Sequence, residues 1–160
     1  MGLTESYVDV LLQSLKKKDE VLREVYQLEL EYERLFKQAK PDMEELDNLQ
    51  NAKENYIQRL NELEQGFEQV YQRVREEIQQ DKYRYQAEIQ EMQRYIKSVT
   101  DLMVQVRAQE ERNRQYVEAF FRTTKREIRN FNSGKKGMAQ YSQHSAAPVM
   151  GQSYFMNSKK

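Results

Sequence analysis

Residues 46–78 read LDNLQNAKENYIQRLNELEQGFEQVYQRVREEI, and their apolar positions recur at intervals of three and four. Leu46, Leu49, Tyr56, Leu60, Leu63, Phe67, Val70, Val74 and Ile78 fall on one helical stripe, in which Lys53 takes one place. The stripe resumes at Tyr85, Ile89, Met92, Ile96, Val99, Met103 and Val106, and continues through Glu110, Asn113, Val117, Phe120 and Ile128. Such a seam belongs to helices that lie along one another. Long paired helices offer surface rather than a cleft, so the pattern points to a protein that binds and not to one that catalyses.

Composition supports this reading. Of 160 residues, 38% are hydrophobic and 32% charged, too little apolar material for a compact globule. Within the periodic region the charges alternate in sign, as on the solvated faces of an elongated bundle, which separates the chain from simple disorder. The net charge is zero but unevenly placed: residues 122–160 hold eight Lys or Arg against the single acid Glu127, leaving a balance of minus seven on the first 121 residues. A basic tail therefore follows an acidic body. With no Cys, disulfides and thiolate metal sites are excluded, and the lone His144 makes no zinc site. No apolar run is long enough to cross a bilayer, and residues 1–10 lack the pattern of a signal peptide, so the expected address is the cytoplasm with no membrane insertion.

Working outward from the stripe, Thr4 is placed to cap a first helix of about residues 4–40, with Leu11, Leu15, Leu22, Val25 and Tyr32 among its apolar positions and the charges of residues 16–20 on its wet side. Pro41 stops that helix, because it has no N–H to donate and disfavours helix at Lys40. Asp42 and Glu45 then read as a capping box for a second helix of about residues 42–79. From Met43 to Phe131 there is no proline, and read literally the segment is one helix about 130 Å long at 1.5 Å per residue. The register slips between Val74 and Tyr85 across the polar run Gln79, Gln80, Asp81 and Lys82, which predicts a turn or pronounced bend at 79–84 and a third helix of about 83–131. The short connections make neighbours antiparallel. The expected fold is all-α: an elongated antiparallel helical hairpin or three-helix bundle with coiled-coil packing over residues 1–131, followed by a flexible basic tail, residues 132–160, that opens with the helix stop Asn132-Ser133-Gly134.

Chemistry finds little footing. No Gly-rich loop follows a strand, no nucleophile stands in a recognisable setting, and the carboxylates are spaced as solvated faces, so no enzymatic role and no cofactor are expected. Arg122, Lys125, Arg126, Arg129, Lys135 and Lys136, with Tyr116, Phe120 and Phe121 nearby, have the makings of a phosphate-binding and base-stacking patch. Cations at a helix C-terminus also complement its dipole, and the acidic body repels a duplex, so no nucleic-acid partner is expected. Val117, Phe120, Phe121, Thr124 and Ile128 continue the stripe past the point where the first two helices reach, leaving an apolar patch suited to an amphipathic partner helix.

Residues 110–121, EERNRQYVEAFF, resemble the last helix of the FlgN family of flagellar export chaperones, which carries an Asn followed by apolar residues at helical spacing. The layout of three helices, the Leu60-to-Leu63 stretch in the second, and a tail with a Tyr and the late Ser153-Tyr154-Phe155 are similar as well, over roughly residues 4–131. The resemblance implies a cytoplasmic chaperone that holds hook-filament junction proteins before export through the flagellar type III apparatus. It implies that Asn113, Val117, Phe120, Phe121 and Ile128 receive the partner's C-terminal helix, and that Tyr141 meets the export gate, although Ser142 stands where the family pattern has Gly. FliT-type chaperones, which serve another flagellar substrate, share this layout. A structural coiled-coil protein that self-associates through the stripe is the reading from another class.

Overall fold

The computed structural model describes residues 2–131, which form three helices: α1 Leu3–Phe36, α2 Met43–Gln80 and α3 Gln86–Phe131. The protein is an all-α three-helix bundle. The basic tail and Tyr141 lie outside the described residues. At 1.5 Å per residue the 34, 38 and 46 residues span about 51, 57 and 69 Å, so α3 is much the longest. Arg84 pairs with Glu5 at one end of the bundle and Phe120 meets Phe36 near the other, which sets α3 parallel to α1 and α2 antiparallel to both. Against α1, α3 is in step until about Phe121 and then runs on for ten residues, about 15 Å.

α1 packs against both of the other helices, whereas no Cα of α2 lies within 8 Å of one in α3. The core is stacked along α1 in three apolar layers. Val8, Leu11, Leu12 and Leu15 meet Val74, Ile78, Tyr85 and Met92 in the lowest. Val21, Leu22 and Val25 meet Leu60, Val99, Leu102, Met103 and Val106 in the middle, and Leu28, Tyr32, Leu35 and Phe36 gather around Leu46 at the top. Most of these are the 3-and-4 positions of the sequence; Val21 and Leu102, beside Leu22 and Met103, widen the buried face.

Helix boundaries follow local chemistry, with four departures from the sequence reading. α1 begins one residue before Thr4: Gly2 is its N-cap, the Gly2 N–H donates to Glu5 Oε2 at 3.2 Å, and the Thr4 hydroxyl donates instead to Glu77 on α2. It ends at Phe36 and not near Lys40, the last turn opening into residues 37–40 ahead of Pro41. Asp42 does cap α2, accepting from the Glu44 N–H at 3.0 Å, but Glu45 leaves the cap to pair with Arg34. Lys18 and Asp19 are not on the wet side. Lys18 falls in the seam register of Leu15, Leu22 and Val25; it is buried and pairs with Glu64, while Asp19 accepts from Ser98 Oγ at 2.5 Å and from Arg23 Nε at 2.9 Å.

The chain reverses at residues 81–85, where Asp81 Oδ1 accepts from the Arg84 N–H at 3.3 Å and Tyr85 turns back into the lowest layer. Arg84 lies 5.5 Å over the Tyr85 ring and pairs with Glu5, so the turn is tied to the start of α1. Gly66 lies in α2 at an open groove of about 710 Å³ between α1 and α2, with Val10, Leu63 and Val70 in its wall. A methyl group there would meet nothing within 4 Å. Gly66→Ala is therefore expected to raise stability by about 0.5–1 kcal/mol, the helical cost of glycine, as read by urea unfolding.

Candidate functional site

The upper half of α3 carries the site. Val117, Phe120 and Phe121 stand at helical spacing and pack against the top layer, yet each stays partly exposed. Phe120 meets Phe36 edge-on, with ring centroids 5.7 Å apart, and Phe121 lies 6.0 Å from Phe120. Phe36 in turn stacks on Tyr32 at 6.5 Å. Thr124 and Ile128 prolong the same stripe; both are partly buried, and Ile128 is not among the apolar residues packed against the top layer. Arg122, Lys125, Arg126 and Arg129 surround them, all exposed. The result is an aromatic patch half covered by its own bundle, continued by an aliphatic position inside a ring of cations.

Asn113 is not at that surface. It is 5% exposed, and its Nδ2 donates to the Glu29 carbonyl oxygen at 2.7 Å and to Glu29 Oε2 at 2.9 Å. A seam position one turn below Val117, it points at α1, and the amide is held there by two acceptors. Asn113 therefore supports the patch from beneath.

Around it lies a polar layer between the middle and top apolar layers. Lys53 Nζ of α2 is 2.5 Å from Glu29 Oε1 of α1 and 3.4 Å from Glu110 Oε2 of α3, and it sits 5.6 Å over the Tyr32 ring. Arg112 donates to Gln109 Oε1 at 2.9 Å, and Gln109 Nε2 donates to Asn113 Oδ1 at 3.1 Å and to Glu33 Oε2 at 3.2 Å. The Lys37 ammonium beside Glu33 holds that carboxyl below its usual range, helped by Gln109 and by the Tyr116 hydroxyl, which donates to Glu33 at 3.4 Å. Burial raises the Glu110 carboxyl to about 7 against the opposing pull of Lys53. Lys53, Glu110 and Asn113 all hold seam positions in the sequence, and a charged residue in an apolar register is the signal that marks such a layer. What the sequence withholds is that Glu29, another seam position, is the partner that Lys53 and Asn113 share, while Glu110 meets Lys53.

Among the described residues no cluster of His, Asp or Glu is arranged to hold a metal ion, and no helix is long and apolar enough to cross a membrane.

The family model described as FlgN protein matches residues 1–148 of this chain. The chain belongs to the FlgN family. FlgN proteins are flagellar export chaperones and not an enzyme family, in keeping with a bundle whose notable surface is an apolar patch on one long helix. No curated protein and no solved structure matches the chain.

For this FlgN-family bundle the patch and the polar layer below it are coupled by Asn113. Asn113→Ala removes two bonds to Glu29 and is expected to cost about 1–3 kcal/mol, the penalty of under-satisfied buried polar groups, measured by urea unfolding at pH 7. The far-UV circular dichroism of the folded variant should be unchanged.

Proposed function

We propose that this protein holds hook-filament junction proteins in the cytoplasm by capturing their amphipathic C-terminal helix on the upper half of α3, and delivers them to the flagellar export gate. The observation that supports this most strongly is the length of α3. It runs ten residues beyond the last side chains that pack on α1 and α2, and its apolar stripe does not stop where its own partners do. Val117, Phe120, Phe121 and Ile128 form the contact line, with Asn113 fixing the helix beneath them. An amphipathic helix laid there would cover the exposed halves of the aromatic rings and shield its own apolar face until transfer. The exposed cations at 122, 125, 126 and 129 favour an incoming helix with acidic flanks. No nucleotide or metal takes part.

Ile128 offers the cleanest test, because it belongs to none of the bundle's apolar layers. Ile128→Asp is expected to weaken binding of a synthetic junction-protein C-terminal helix at least tenfold by calorimetry, about 1.4 kcal/mol, with an unchanged melting temperature. Phe120→Asp should lower both binding and stability, since Phe120 also packs on Phe36. A full-affinity Ile128→Asp variant would place the contact elsewhere. If the chain instead elutes as a defined homo-oligomer that no such peptide alters, self-association is the better reading.

Gate docking is assigned to Tyr141 in the tail. Tyr141→Ala should leave peptide binding intact and reduce capture of the chaperone by an immobilised gate component.

A further inference from the structure

At the centre of the layer between the middle and top of the core lie two buried carboxylates and one buried ammonium. Glu29, Lys53 and Glu110 each have side chains no more than 9% exposed, and each comes from a different helix. Counted as ionised groups they leave one negative charge in excess, in a place where unpaired charge is strongly disfavoured. The two carboxylates differ in their surroundings. Glu29 has the nearer contact with Lys53, 2.5 Å against 3.4 Å, and its other oxygen accepts from Asn113 Nδ2 at 2.9 Å. Glu110 has only the longer contact. The other groups that bear on it do not make good the deficit: Arg107 of α3 attracts it but stands exposed in solvent, Glu29 of α1 repels it, and Tyr32 of α1 offers Lys53 a ring face and no charge.

We propose that the Glu29–Lys53–Glu110 cluster is a proton-operated latch: with a proton on Glu110 the cluster is neutral and α3 is fastened to α1 and α2, and loss of that proton loosens α3 at the base of its overhang. Burial raises the Glu110 carboxyl from 4.5 to about 7, Lys53 opposing the rise and Glu29 adding to it. Between these two values the folded chain holds a proton that the unfolded chain has released, so stability declines as pH rises through this window and levels off above about 7. The carboxyls of Glu5, Glu33 and Glu111 are shifted downward, chiefly by hydrogen bonds from Arg84, Lys37 and Arg114, so their contributions vary below 4.5 and leave the window clear.

The test is urea unfolding of the full chain from pH 5 to pH 8, with wild type and Glu110→Gln side by side. One proton linked to folding makes the wild-type unfolding constant rise roughly tenfold per pH unit between pH 5 and 6.5 and flatten above 7. Glu110→Gln keeps the shape of the protonated acid and should lose most of that rise, while any share from His144 or the terminal amine would persist equally in both chains. Carbon-13 NMR of the wild-type Glu110 carboxyl provides a second reading that requires no variant, with a midpoint expected near 7. Equal slopes in the two chains, or a midpoint in the ordinary carboxylate range, would overturn the latch.

Discussion

The ammonium group of Lys53 joins all three helices of this bundle and restricts their register. It reaches from α2 to Glu29 of α1 and Glu110 of α3, and the two outer helices have no backbone approach of their own. Apolar layers attract without direction, and a stripe of Leu and Val would tolerate a slip of one turn, about 5.4 Å, by exchanging one side chain for another. A slip would separate Lys53 from its carboxylates and strand Asn113 against hydrocarbon. A second polar layer, Lys18 with Glu64 and Asp19 with Ser98, lies eleven residues lower on α1 and repeats the constraint. Two such layers set how far each helix extends past the others, and with it the length of α3 left over at the top. Buried polar groups serve here to choose one alignment out of several of similar apolar burial.

Much of the fold is legible in the residues themselves because helix periodicity is a local property. The stripe from Leu46 identifies the faces, Pro41 and Asp42 mark the first connection, and the polar run near Asp81 marks the second. What the sequence misplaces is governed by pairing between residues on different helices, from 11 to 84 positions apart. Lys18 and Asp19 look like surface charges until Glu64 and Ser98 are brought to them. Thr4 has the chemistry of a cap and Glu45 that of a capping-box partner, but each finds a better-placed group on a neighbouring helix, Glu77 and Arg34. The site shows the same division. Val117, Phe120, Phe121 and Ile128 follow from periodicity, whereas the burial of Asn113 depends on Glu29, 84 residues away.

The aromatic patch is neither sealed nor bare. Phe120 and Phe121 have enough contact with the top layer to hold an orientation in the empty protein, and enough exposed ring to gain from a visitor. A fully exposed patch of this composition invites aggregation, and a sealed one offers nothing to bind. Half-coverage suits the chaperone role of the FlgN family, in which a surface must be stable both vacant and occupied.

The arrangement of α1 between its neighbours also has a kinetic side. α1 and α2 are joined by a six-residue connection, so their hairpin closes short loops and can zip from residues 36 and 43 outward. The contacts of α3 with α1 each close about 80 residues of chain, so they are entropically the most expensive to form. The order of emergence from the ribosome agrees, since α1 and α2 are complete before the first turn of α3 exists. The helix that receives cargo in the proposed role is thus the last to assemble.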